Sequence, residues 1–193
     1  GSRLIVDEKV RDALFEKIAA HARSFTPGDP LDANIRMGSM VTEEQMDRVL
    51  GYIDAGRAEG ATTLIGGSRV RVETGGFYIE PTIFDRVRND MTIAREEIFG
   101  PVLSAITVKG FDEAMEVAND TIYGLAGAVW TGSVKNAHRA AKAIKAGVVW
   151  VNCFDRGSMA VPFGGFKQSG FGRDKSLHAM DKYTDLKAMW FAH

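Results

Sequence analysis

Apolar positions along this chain change period several times, and each period names an element. Over residues 6–25, Val10, Leu14 and Ile18 recur at i, i+4 steps with Ala13 and Ala22 beside them. That spacing predicts an amphipathic helix, with Asp7 as its N-cap. Residues 26–40, TPGDPLDANIRMGSM, hold two prolines among turn formers and predict an extended loop. A second helix is predicted over 42–60. Thr42 and Gln45 have capping-box spacing, and Met46, Val49, Leu50 and Ile53 form the apolar stripe. TTLIGG, 62–67, predicts a short strand closed by glycines. FYIEPTIF, 77–84, is strand-like, but Pro81 cannot donate to a ladder and belongs at an edge or a break.

The most regular stretch follows. Residues 102–110 predict an apolar, β-branched strand, 111–120 a helix, and 125–132 a second strand. Residues 133–147 predict a helix with Ser133 as N-cap and Gly147 as its stop. Residues 148–152, VVWVN, predict a third strand. Near-continuous apolar strands alternating with helices imply an α/β fold: an open, mostly parallel sheet with helices on both faces. Functional groups in such sheets gather at the carboxyl ends of strands, where Cys153 stands. Residues 176–183 predict a short helix and 184–192 a terminal strand. No internal repeat, low-complexity run or linker interrupts the chain.

Composition narrows the function. Lys plus Arg number 24 against 25 Asp plus Glu, a net charge of −1. That balance gives no electrostatic reason to expect nucleic acid or an acidic membrane as partner. A single cysteine excludes an internal disulfide framework and a multi-cysteine zinc site, and a reducing, cytoplasmic setting is expected. No apolar run is long enough to span a bilayer.

The candidate chemistry is incomplete when read from the residues alone. Cys153 has Arg156 nearby, but no histidine is spaced to pair with it, so a buried, unreactive thiol is the expectation. The glycine-rich stretch 161–175 completes neither a P-loop nor a dinucleotide fingerprint; a packed turn that needs small residues fits it better. Glu96 and Glu97 in REEIFGP are adjacent and point apart, which disfavours a shared proton. Lys135, His138, Arg139, Lys142 and Lys145 read as a solvated helix face.

Specific stretches go further. MTIAREEIFGPVLS, NDTIYGLAGAVWT, AGVVWVNCF and PFGGFKQSGFGRD resemble the C-terminal part of an aldehyde dehydrogenase catalytic domain. Residues 163–190 resemble bacterial enzymes acting on ω-amino or γ-glutamylamino aldehydes. The resemblance implies a partial catalytic domain over 1–181 and an oligomerisation strand over 182–193. It implies a strand and then a helix at GSRLIVDE, with Gly1 and Ser2 native. It also implies a nucleophilic cysteine in a G-Q-x-C segment just upstream of residue 1. The coenzyme-binding domain, the general-base glutamate and the oxyanion asparagine would lie upstream as well, so the chain alone is expected to be inactive.

The family's reaction is NAD(P)⁺-dependent oxidation of an aldehyde to an acid. A thiolate attacks the aldehyde, hydride passes to the nicotinamide, and water hydrolyses the resulting thioester. By resemblance, Glu97 matches the acceptor of the nicotinamide ribose hydroxyls and Phe99 the aromatic beside the nicotinamide. Gln45 and Arg48 match polar positions near the adenosine ribose, although Gln45 also has the capping-box reading. Cys153, Phe154 and Asp155 match the loop lining the substrate tunnel, and Phe163 an aromatic facing it. Asp174 stands where relatives carry a glutamate implicated in proton relay; hydrogen bonding within its loop is the alternative. The expected cofactor is NAD or NADP, and the expected partners are a small aldehyde and further copies of the chain. The alternative function is a non-catalytic domain that self-associates or binds a partner.

Overall fold

The chain begins extended. Arg3–Asp7 form strand β1, as the resemblance implies, whereas the hydrophobic period alone runs a helix from residue 6. Leu4 and Val6 pack on one side with Phe15 and Ala105, and Ile5 packs on the other against the larger core. That alternation is the period of a strand. Helix α1, Arg11–Arg23, starts later, with Val10 at the N-cap position. Asp7 is not its cap. Its Oδ1 accepts the Lys9 N–H at 3.0 Å, a turn-forming bond that the side chain makes ahead of the helix.

The computed structural model describes residues 1–193 and divides into two compact units, Gly1–Val117 and Ala118–His193. In the first, helix α2 spans Glu43–Ala58, and the Thr42 hydroxyl caps it by accepting the Gln45 N–H. Strands β2 (Thr62–Ile65), β3 (Arg69–Val70), β4 (Tyr78–Ile79) and β5 (Thr82–Asp85) follow. Pro81 makes the expected break between β4 and β5. Helix α3 is the single turn Thr92–Arg95, β6 is Val102–Val108 and α4 is Phe111–Asn119.

The main sheet has the order β1-β6-β5-β2. β6 runs parallel to both of its neighbours, and β2 closes the far edge antiparallel to β5. β3 and β4 form a separate antiparallel pair. Alternate residues of β6 serve two cores. Val102, Ile106 and Val108 join the large core with Met46, Val49, Ile53, Phe84, Ile93 and Ile98, while Ala105 packs with Val6 and Phe15. The sheet is thus covered on both faces, as the apolar strands predicted. Asp85, buried at the end of β5, receives the Arg11 guanidinium in an ion pair. The pair ties the first turn of α1 to the sheet. Arg11 is held above its ordinary pKa, first by its hydrogen bond to Asp85.

In the second unit, β7 (Ala126–Val129) and β8 (Val148–Val151) pair parallel, joined through α5, Val134–Ala143. These strands make a sheet of their own rather than continuing from β6, as the uninterrupted strand–helix alternation had implied. Ser133 caps α5 as predicted, accepting the Asn136 N–H. Gly147 does not stop it; the C-cap is Ile144. The basic face of α5 is solvent-exposed. A 3₁₀ segment spans Leu177–Lys182. Residues 184–193 form no strand, because a strand needs a paired edge and no strand of this chain takes them as partner.

The glycine-rich segment is a seam between backbones. A Cβ at Gly147 would lie 1.7 Å from the Gly164 carbonyl oxygen, and one at Gly165 would lie 2.3 Å from that of Ser169. Gly124 donates its N–H to the Ser169 hydroxyl and accepts the Phe166 N–H. Lys167 Nζ donates to the carbonyls of Asn119 and Thr121 at 2.8 and 2.9 Å. Every such contact is internal, so this stretch presents no anion cradle.

Three substitutions test this packing. Phe84→Ala should cost on the order of 3–5 kcal/mol, because Phe84 is fully buried between α2 and α3. Chemical denaturation should show a lower midpoint at an unchanged m-value. Gly147→Ala should destabilise by about 3 kcal/mol or more, since backbone rather than a flexible side chain blocks the methyl. Gly132→Ala meets nothing within 4 Å and should stay within about 0.5 kcal/mol of the parent.

Candidate functional site

Four of the sequence-predicted residues meet in the first unit, where the turn 96–100 lies along α2. The segment leaves α3 at Glu96, which is extended, and buries Ile98. Phe99 then takes the left-handed conformation with φ 52° and stays 71% exposed. A bulky residue adopts that conformation only when its surroundings hold it there. Gly100 follows. A Cβ there would come within 2.6 Å of Val49 Cγ2, so only glycine lets the turn sit this close to α2.

Gln45 does not complete a capping box. Its side-chain amide donates to the carbonyls of Ile98 and Phe99 at 3.3 and 3.1 Å. Two turns further along α2, Tyr52 donates its hydroxyl to Glu96 Oε2 at 2.7 Å. Arg48 lies between them, its guanidinium 3.5 Å from the Tyr52 hydroxyl and 5.7 Å from the ring centre. Arg48 is held above its ordinary pKa, first by that hydrogen bond and further by Glu96 and Glu44. The two adjacent carboxylates thus have separate fates, as expected. Glu96 is tethered to Tyr52, while Glu97 is exposed and bonded to no group of this chain. Phe99 also borders an open depression with Met37, Met40, Ile79 and Pro101.

The remaining candidates lie in the second unit. β8 is followed directly by Asn152, whose Oδ1 accepts the Thr131 N–H at 2.9 Å and whose Nδ2 donates to the Thr131 carbonyl at 3.1 Å. This amide clamp joins the carboxyl ends of β7 and β8 and fixes where the next loop starts. Cys153 is half-buried, and Phe154 and Asp155 are exposed. The Phe154 ring packs 5.1 Å from that of Trp150, whose indole N–H donates to the Arg156 carbonyl at 2.7 Å. No histidine reaches Cys153. Phe163 and Asp174 exchange backbone hydrogen bonds of 2.8 and 2.6 Å. The Asp174 carboxylate accepts from Lys182 Nζ at 2.5 Å, a partner in the 3₁₀ segment that follows rather than within its own loop.

Sequence reading missed Tyr52, Asn119 and Asn152. Tyr52 carries a legible signal, since it follows Gln45 by seven residues on one helix face. Asn152 is an asparagine directly after a strand, a residue that tolerates its φ of 53°. Nothing in the sequence marks Asn119, which bridges the Ala143 carbonyl and the Lys145 N–H.

Comparison with known proteins reads the same features. The aldehyde dehydrogenase family profile matches residues 1–189. Aminoacetaldehyde dehydrogenase of Pseudomonas aeruginosa is 46% identical over 191 residues, covering 98% of this chain and 38% of that protein. The crystal structure of γ-glutamyl-γ-aminobutyraldehyde dehydrogenase from Burkholderia cenocepacia superimposes with a TM-score of 0.93 at 57% identity, over 97% of this chain and 38% of that one. A P. syringae indole-3-acetaldehyde dehydrogenase mutant, in complex with NAD⁺ and IAA, superimposes with a TM-score of 0.96 at 53% identity, over 99% of this chain and 39% of that one. The chain spans well under half the length of these relatives, and it belongs to the aldehyde dehydrogenase family.

Proposed function

We propose that this chain forms the C-terminal part of the catalytic domain of an NAD(P)⁺-dependent aldehyde dehydrogenase that oxidises an aldehyde to a carboxylic acid. The observation that carries the reading is the turn 96–100. It presents an unengaged carboxylate, Glu97, beside an exposed aromatic face, Phe99, on a backbone held from α2. A carboxylate accepts two hydrogen bonds at once, which fits vicinal ribose hydroxyls. The flat face of Phe99 fits a nicotinamide ring. The bound coenzyme would supply the two-electron oxidation of the aldehyde carbon. Glu97 and Phe99 then orient it, and Gln45 and Arg48 lie on the same side of α2.

Cys153 is not the nucleophile in this reading. A reactive thiolate needs a base or a positive setting, and no histidine stands against it. Cys153, Phe154, Asp155 and Phe163 instead form part of the substrate passage, with a nucleophilic thiol supplied from sequence preceding residue 1. The chain alone then turns over no aldehyde. An amino-bearing aldehyde is the favoured substrate class, because the aminoacetaldehyde and γ-glutamylaminobutyraldehyde enzymes stand among the relatives. The exposed Asp155 carboxylate offers such a substrate an acceptor. Asp174, paired with Lys182, takes the loop-holding role rather than proton relay. Residues 182–193 associate with another copy of the chain. Leu186, Met189, Trp190 and Phe191 are all exposed there, an apolar run that calls for a partner.

In the full-length enzyme, Glu97→Gln should lower the single-turnover rate of hydride transfer about tenfold or more while leaving the aldehyde KM nearly unchanged. An unchanged single-turnover rate would remove Glu97 from the coenzyme site. Cys153→Ala should keep most of the turnover, and a dead variant that still folds would return the thiol to the chemistry. Light scattering should find the 193-residue chain oligomeric, and truncation at residue 181 should shift it towards monomer. A strictly monomeric parent chain would overturn the proposed strand exchange.

A further inference from the structure

We infer that Gln45 and Tyr52 are positioning residues, which set the coenzyme-facing pose of Glu97 and Phe99 by holding the 96–100 turn at its start and in its middle. The inference rests on the coenzyme role proposed above for Glu97. It departs from the expectation that Gln45 itself touches the coenzyme.

The geometry is that of a splint. Gln45, Val49 and Tyr52 lie at i, i+4 and i+7 on α2, one above another on one face. The Tyr52 hydroxyl engages the Glu96 side chain at the start of the turn. Val49 lies under Gly100, where no Cβ fits. The Gln45 amide engages the Ile98 and Phe99 carbonyls in the middle. One side-chain nitrogen with two hydrogens is matched to two successive carbonyls, which leaves little of its donor capacity for a ligand. Glu97 is the side chain that the splint skips. It lies between a tethered neighbour and a buried one, and its carboxylate is free.

The strained residue shows why a splint is needed. Phe99 is the one aromatic among the left-handed residues of this chain. Without an outside hold the turn would relax towards a negative φ at Phe99. That relaxation would rotate the peptide between Ile98 and Phe99 and re-aim both Glu97 and the ring. Gln45 bonds the carbonyls on either side of the Phe99 Cα, so it resists that rotation directly.

The test is a double-mutant cycle in the full-length enzyme, read by single-turnover hydride transfer and by coenzyme KM. Gln45→Ala, and separately the near-isosteric Gln45→Met, should each slow hydride transfer about tenfold and leave the aldehyde KM unchanged. Tyr52→Phe keeps the ring and loses the tether, and should show the same pattern more weakly. Combined with Glu97→Gln, each Gln45 change should add less than about twofold to the effect of Glu97→Gln alone, because both act on one interaction. Fully additive losses would mean that Gln45 contacts the coenzyme independently, and would overturn the inference. No effect of Glu97→Gln by itself would instead remove the coenzyme reading, and this inference with it. Two Gln45 variants with parental coenzyme kinetics would show that the splint is dispensable.

Discussion

The close approach of α2 to the start of β6 sets the geometry of the first unit. β6 is the strand on which both cores meet, and it is entered through the turn 96–101. Where that turn sits therefore fixes the register of the parallel sheet and the placement of Glu97 together. The approach is possible because Gly100 has no side chain above Val49, which is itself fully buried. Two carbonyls then take their partners locally, with Pro101 accepting the Thr82 N–H and Gly100 the Val102 N–H. Ser104, wholly buried in β6, donates its hydroxyl to the Ile93 carbonyl and so joins α3 to the same strand. A turn that feeds a buried strand at one end and is held by a helix along its length cannot drift without disturbing the core. That rigidity suits a surface that must orient a ligand.

The second unit solves a related problem with backbone instead of side chains. Its parallel pair is short, and α5 contributes only Ala140 as a fully buried residue. Cohesion comes from chain segments that pass within van der Waals contact at Gly124, Gly147, Gly164 and Gly165. Lys167 and Asn119 donate hydrogen bonds across the same seam, and the Ser169 hydroxyl accepts one from the Gly124 N–H. Asn152 then closes the carboxyl ends of β7 and β8, so the loop carrying Cys153, Phe154 and Asp155 leaves a fixed point. Phe154 and Asp155 are exposed on that loop, while its base is held by the Asn152 amide.

Much of this was legible in the pattern of residues, and the gaps have physical causes. Helix α2, the break at Pro81 and the Ser133 cap follow from local chemistry, and local chemistry decided them. Asp7 failed as a cap because its neighbours, Leu4 to Val6, are drawn into a strand by pairing with β6, a partner about a hundred residues away. Helical spacing of Val10 and Leu14 could not reveal that. Gly147 was read as a helix stop because it follows α5. Its actual constraint is the Gly164 carbonyl, again a distant contact. The terminal strand expected over 184–192 is absent, since no strand of this chain pairs with those residues. Residue spacing reports local preference well and long-range pairing poorly.

The same distinction separates the two most recognisable motifs of the chain. In PFGGFKQSGFGR, Gly164 and Gly165 lie where backbones cross at distances that exclude a Cβ. REEIFGP is shorter and carries both kinds of constraint. Its glycine serves packing against Val49, its first glutamate and its isoleucine serve anchoring, and its second glutamate alone is left with no internal task. An exposed, hydrated carboxylate costs the fold little, and Glu97 is exposed and bonded to no group of this chain. That leaves Glu97 available for the coenzyme contact proposed above. Tyr52 holds the Glu96 side chain before it, and Gln45 holds the Ile98 and Phe99 carbonyls after it.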